Sequence, residues 1–93
     1  MKTENRKIAI LGSTGSIGRQ TLDIARRYSL AVEALAANSD VKTLEKQIRE
    51  FSPKYVSLVD EKAASELSAM VADTPTKVFA GKDGSCEMIT YLE

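Results

Sequence analysis

Residues 8–18 read Ile8-Ala9-Ile10-Leu11-Gly12-Ser13-Thr14-Gly15-Ser16-Ile17-Gly18, an apolar β-type run, three evenly spaced glycines and the start of a helical pattern. A strand that ends in such a turn must hand over at once to a helix lying against it, which restricts the fold more than anything else in the chain. In a dinucleotide-binding βα turn each glycine has a separate job: Gly12 permits the sharp turn, Gly15 lets a pyrophosphate approach the backbone, and Gly18 lets helix and strand pack closely. Free amides at the helix start would meet the anion. A tight strand-to-helix connection without a ligand would show the same spacing, so the context decides between the two. Here β-type residues precede the glycines and helical spacing follows them.

The rest of the chain repeats this alternation. A first strand is predicted over 7–11, followed by a helix from Ser16 to about Tyr28 with Ile17, Leu22, Ile24 and Ala25 on its apolar face and Ser16 as its cap. Ala31 to Ala36 forms a second strand, and Asn38, Ser39 and Asp40 are successive N-cap candidates for a helix carrying Val41, Leu44, Gln47, Ile48 and Phe51. Pro53 closes that helix, Tyr55 to Val59 makes a third strand, and Asp60 caps a third helix running to about Val71. Lys77 to Ala80 is a short fourth strand, and after Gly81 residues 83–92 can begin another helix. The pattern β-α-β-α-β-α-β-α predicts an α/β fold: a Rossmann-like doubly wound parallel sheet, incomplete, with right-handed crossovers and helices on both faces. Ligands of such sheets bind at the carboxyl ends of the strands, where Thr14, Gly15, Ser16 and Ile17 would come close to Asn38, Ser39 and Asp40.

Composition removes other function classes. The 93 residues are 43% apolar, enough for one modest core, and no stretch approaches a membrane span or a secretory leader, so a cytoplasmic protein is expected. Thirteen basic and thirteen acidic residues are interspersed, leaving no basic face for nucleic acid. With a single cysteine, Cys86, and no histidine there is no disulfide framework, no Cys/His metal cluster and no Ser-His or Cys-His nucleophile pair. Asp60, Glu61, Glu66 and Asp73 read as caps and solvated charge, so no metal site is assigned. Lys42, Glu45, Lys46, Arg49 and Glu50 read as a solvated helix face, with Glu45 and Arg49 an attractive i,i+4 pair.

The end of the second strand bears on the choice of cofactor. NAD sites commonly place a carboxylate there for the ribose hydroxyls, whereas this strand ends in Ala36-Ala37 followed by the neutral Asn38 and Ser39. That favours NADP. Asp40 opposes a 2′-phosphate unless its side chain turns back to cap the next helix, and Arg19 and Lys42 are the nearest candidate cations.

The strings LGSTGSIGRQTLDIARR and ALAANSDVKTLEKQIREFSPKYVSLVD closely resemble the N-terminus of the 1-deoxy-D-xylulose 5-phosphate reductoisomerases, over roughly residues 7–90. The resemblance implies an NADPH-dependent enzyme of non-mevalonate isoprenoid synthesis that rearranges and reduces 1-deoxy-D-xylulose 5-phosphate to 2-C-methyl-D-erythritol 4-phosphate. It implies Thr14, Gly15, Ser16 and Ile17 around the NADPH pyrophosphate, and Ser39 and Asp40 in the adenosine ribose-phosphate pocket. Asp40 departs from the family's usual Asn, which can donate to a phosphate where an ionised Asp can only accept. The Mg²⁺ or Mn²⁺ ligands, the substrate contacts and the catalytic loop of the family lie beyond this stretch. The chain is therefore expected to be an inactive N-terminal fragment of a homodimeric enzyme, with a stand-alone nucleotide-binding or regulatory module as the alternative.

Overall fold

The computed structural model describes residues 7–92; residues 1–6, read above for a leader, and residue 93 lie outside that range. Strands β1 (Lys7–Leu11), β2 (Ala31–Ala37), β3 (Tyr55–Leu58) and β4 (Lys77–Ala80) alternate with helices α1 (Ser16–Tyr28), α2 (Val41–Phe51), α3 (Glu61–Met70) and α4 (Gly84–Ile89). All strand pairs are parallel and the order across the sheet is β1-β2-β3-β4. Strand β2 runs one residue further than expected and β3 stops one residue earlier.

Repeated right-handed crossovers in one direction set successive helices on the same face. The main core agrees, because it joins Leu22 and Ala25 of α1, Leu44 and Ile48 of α2, and Ala64 and Leu67 of α3 to Leu35, Val56 and Leu58 of the sheet. Burying each such Leu, Ile or Val side chain is worth about 1.5–3 kcal/mol. The opposite face holds a smaller cluster of Ala34, Ala36, Phe79 and Met88, the last contributed by α4. The faces are covered unevenly: three helices lie on one, and on the other only the short α4, against β3 and β4.

A bulge lies within β2, where Ile8 pairs with Val32 and Ala9 with Ala34, leaving Glu33 unpaired between them. This extra residue resets the alternation, so that Val32 and Leu35 reach the same core despite their odd spacing.

The helix face expected for α1 needs correction. Leu22 and Ala25 are buried, but Ile17 is 78% exposed and Ile24 51% exposed. The buried stripe runs through Gly18, Leu22 and Ala25, at spacings of four and three, and Ile17 and Ile24 each sit one position, about 100°, away from it. The cap of α1 also differs, since its N-cap is Gly15 and no side chain caps it. Ser16 is already the first helical residue. Helices α2 and α3 follow expectation: the Asp40 carboxylate accepts from the Thr43 amide at 3.2 Å and the Asp60 carboxylate from the Ala63 amide at 3.0 Å. The last helix is shorter than the stretch 83–92 allowed.

Candidate functional site

Strand β1 ends at Leu11, the φ of +74° at the following Gly12 suits glycine, and the amides of Gly12 and Ser13 act as a clip. Gly12 N and Ser13 N both donate to the Ala36 carbonyl, at 2.7 and 2.9 Å, fastening the first turn to the end of β2. Gly15 N closes the turn on the Gly12 carbonyl at 3.1 Å. Helix α1 then lies so near that a Cβ added to Gly18 would stand 2.2 Å from the Gly12 carbonyl oxygen. The turn after β2 is tied in turn to the one after β3, with Val59 N donating to the Ala37 carbonyl (3.2 Å) and Asp60 N to the Asn38 carbonyl (3.0 Å).

Three turns therefore stand side by side at the carboxyl ends of their strands and, with Ser85 of α4, border an open cavity of about 310 Å³ lined by Leu11, Gly12, Thr14, Gly15, Ala36, Ala37, Asn38, Val59 and Ser85. A second, open cleft of about 420 Å³ follows the outer side of β1 past Gly15, Ser16 and Ile17. Of the residues expected at a cofactor, Thr14, Gly15 and Asn38 meet around the first cavity, whereas Ser16 and Ile17 border the second. Ser39 and Asp40 are exposed beside Asn38 and line neither cavity. The Asp40 carboxylate turns back onto α2 as its cap.

Two carbonyls of the first turn are held by side chains of the neighbouring helices. The Ser13 carbonyl accepts from Gln47 Nε2 at 2.9 Å, and the Thr14 carbonyl from Arg19 Nε at 2.9 Å. Among the described residues, the backbone N–H groups of Thr14, Ser16, Ile17 and Gly18 donate to no protein acceptor. Those of Ser16, Ile17 and Gly18 are the orphan donors of a helix start, where the helix dipole adds partial positive charge, and Thr14 lies just before the N-cap. No acidic side chain occupies the first turn of α1. Of the two cations suggested by sequence, Arg19 reaches the turn, and Lys42 is exposed near the start of α2.

Charged pairs brace the helices away from the cavity. Arg26 of α1 grips both carboxylate oxygens of Glu50 on α2, and Arg49 of α2 holds Asp73 beyond α3 through two contacts of 3.1 Å while also meeting Glu45 at 3.2 Å. Hydrogen bonding to Arg26 keeps the Glu50 carboxyl below the usual carboxylate range, and Arg49 does the same for Asp73. The expected Glu45–Arg49 attraction is present, but Arg49 and Glu50 link helices rather than forming a merely solvated face. Among the described residues no three His, Cys, Asp or Glu side chains converge as a metal site, and no helix is long and apolar enough to cross a membrane.

The sequence pattern did not single out Gln47, Val59 or Ser85. For Gln47 the signal was present, since an amide falls between Leu44 and Ile48 on the apolar side of α2. Ser85 comes into view only through the position of α4, where its hydroxyl stands 3.2 Å from that of Ser57.

The profile of the family described as 1-deoxy-D-xylulose 5-phosphate reductoisomerase matches residues 8–93. The curated enzyme of that name from Acetivibrio thermocellus is 53% identical over 78 residues, covering 84% of this chain and 20% of the relative. That from Campylobacter hominis is 45% identical over 86 residues, covering 92% and 22%. Among solved structures, the Zymomonas mobilis reductoisomerase in complex with NADPH superposes with a TM-score of 0.85 at 31% identity, over 94% of this chain and 24% of that one. A reductoisomerase in complex with NADPH, fosmidomycin and magnesium gives 0.82 at 33% identity, over 89% and 21%. The chain thus spans about a fifth to a quarter of the length of these relatives.

Proposed function

Because the chain belongs to the 1-deoxy-D-xylulose 5-phosphate reductoisomerase family, we propose that it is the N-terminal part of the NADPH-binding domain of such an enzyme. The whole protein would rearrange and reduce 1-deoxy-D-xylulose 5-phosphate to 2-C-methyl-D-erythritol 4-phosphate. Residues contributed by other parts of the enzyme would hold a Mg²⁺ or Mn²⁺ ion, the sugar phosphate and the dimer contacts. A cytoplasmic location fits this assignment.

The observation that carries the reading is the first turn, where unpaired amides of Thr14, Ser16 and Ile17 stand at the positive end of α1. The turn suits a pyrophosphate physically, because Gly15 is exposed and a Cβ there would approach only the Gly12 carbonyl, at 3.5 Å. Thr14, Gly15, Ser16 and Ile17 would bind the pyrophosphate, and Asn38, Ser39 and Asp40 would surround the adenosine ribose and its 2′-phosphate. Bound NADPH would supply the hydride for the reduction. In this chain the residues bind and orient the nucleotide; none of them is assigned a proton to move. The relatives all carry one enzyme name, which leaves the stand-alone regulatory module without support.

Titration of the ¹⁵N-labelled chain with NADPH and, separately, NADH tests the assignment. NADPH-selective shifts at Thr14 to Ile17 and at Ser39 are expected in the amide correlation spectrum; a dispersed spectrum that neither nucleotide moves would overturn it. The purified chain mixed with the sugar phosphate, NADPH and Mg²⁺ should oxidise no nucleotide, and measurable turnover would refute its role as a binding segment only.

A further inference from the structure

Gln47 is 8% exposed, yet it sits on the apolar side of α2 and spends its one protein hydrogen bond on the Ser13 carbonyl, 34 residues earlier in the chain. Its Oε1 is buried without a partner, as is the Ser13 hydroxyl. Burying an unpaired carbonyl is costly, and a methionine or leucine would fill similar space without that cost. The amide therefore contributes little that packing alone could not supply, and its use must be sought in the group it holds.

That group is half of a peptide unit whose other half is the Thr14 N–H. In a planar trans peptide the N–H points opposite to the C=O, and the described residues contain no cis bond. Drawing the Ser13 carbonyl toward α2 consequently turns the Thr14 N–H away from α2, and Thr14 is a residue that borders the cavity. We infer that Gln47 is a positioning residue for nucleotide binding: it fixes the Ser13–Thr14 peptide so that the Thr14 amide is held ready for the pyrophosphate. This rests on the assignment of the first turn as the pyrophosphate site. Arg19 fastens the next carbonyl from α1, but it is exposed, whereas the Gln47 bond is shielded from water and so is the stronger constraint.

The test compares two ligands that divide the site. NADPH needs the first turn for its pyrophosphate; adenosine 2′-phosphate carries only the group expected at Asn38–Asp40. Gln47→Met should weaken NADPH binding roughly tenfold while leaving adenosine 2′-phosphate within about twofold, because one oriented donor to a charged group is lost at one turn only. In the ligand-free chain the Thr14 amide resonance should move and exchange faster, with little change in Tm. Equal losses for both ligands would mean a general structural role and overturn the inference, as would unchanged NADPH binding. If the unsubstituted chain binds neither ligand, the pyrophosphate-site assignment fails and takes this inference with it. If the unsubstituted chain binds and the variant matches it, only the inference falls. Gln47→Leu repeats the comparison if the methionine variant does not fold; failure of both to fold would make Gln47 a core element and overturn the positioning role.

Discussion

Two of the turns that border the cavity, those after β1 and β2, are built on different plans. After β1 the shape is imposed from outside: two amides clip onto Ala36, helix α1 presses against the Gly12 carbonyl, and side chains from α1 and α2 hold successive carbonyls. The turn after β2 is tied by its Ala37 and Asn38 carbonyls to the turn after β3, but no other element holds its side chains: Asn38, Ser39 and Asp40 are exposed and one carboxylate is bonded locally to its own helix. A turn of the first kind can offer backbone amides in a fixed array, which suits a group common to all dinucleotides. The second kind recognises through side chains, so it can change preference between NADP and NAD with little effect on the fold.

Substitutions at the first turn should therefore cost stability and binding together. The largest effect is expected for Gly18→Ala, since its methyl group would meet backbone atoms at 2.2 and 2.7 Å that no side-chain movement can relieve. A loss of about 3 kcal/mol or more follows; for a chain of this size that brings unfolding close, and urea titration would show it. A folded Gly18→Ala variant with unchanged midpoint would break the contrast between the turns. Gly12→Ala is milder, because the added methyl meets nothing within 4 Å and only the φ of +74° opposes it. About 1 kcal/mol is expected in the same titration.

Substitutions at the second turn should separate the two properties. Asp40→Ala removes the cap bond to Thr43 and should cost about 1 kcal/mol. Asp40→Asn keeps a capping oxygen while removing a negative charge next to the expected 2′-phosphate. Its Tm should stay nearly constant while NADPH affinity rises roughly two- to fivefold and NADH affinity does not, read by parallel titrations. If Asp40→Asn instead weakens NADPH, the second turn is not a repulsive neighbour of the phosphate.

The smallest effect concerns the layer beneath both turns. Glu50 and Asp73 have carboxyl groups lowered in the folded chain by Arg26 and Arg49. A lowered folded-state value means these groups add stability above their unfolded values, near 4, and that the contribution is lost as pH falls through the lowered values. Thermal unfolding should accordingly be flat from pH 7 to 5 and shift slightly downward below about pH 4. Both pairs are exposed, so salt should reduce the effect.

How far the sequence could be read depends on whether the controlling force was local. Strand-to-helix alternation and the caps at Asp40 and Asp60 follow from residues near one another in the chain, and the meeting of Thr14 and Gly15 with Asn38 follows from the parallel pairing of β1 with β2 that the alternation implies. The order of the strands did not, because alternation alone permits β1 to lie inside the sheet or at its edge. That position explains the error at Ile17 and Ile24: they sit beside the stripe that packs on the sheet, and with β1 at the edge no further strand of the described residues lies beneath them. Ser16 misled as a cap because Gly15 ends the turn one residue earlier. Gln47 was legible as an oddity, an amide among apolar neighbours, but its partner depends on how α2 lies over the first turn.

The simple order of the strands bears on how the chain reaches its structure. Every strand pairs with the one before it, as in Lys7 with Ala31 and Tyr55 with Lys77, so each crossover closes a loop of only some twenty-odd residues. Contacts of this short span cost less chain entropy to form and favour rapid assembly. A chain emerging from the ribosome could add one βα unit at a time without waiting for a distant strand. Once Ala36 has emerged, its carbonyl is available to Gly12 and Ser13, so the clipped turn can exist before the turn after β2 is complete.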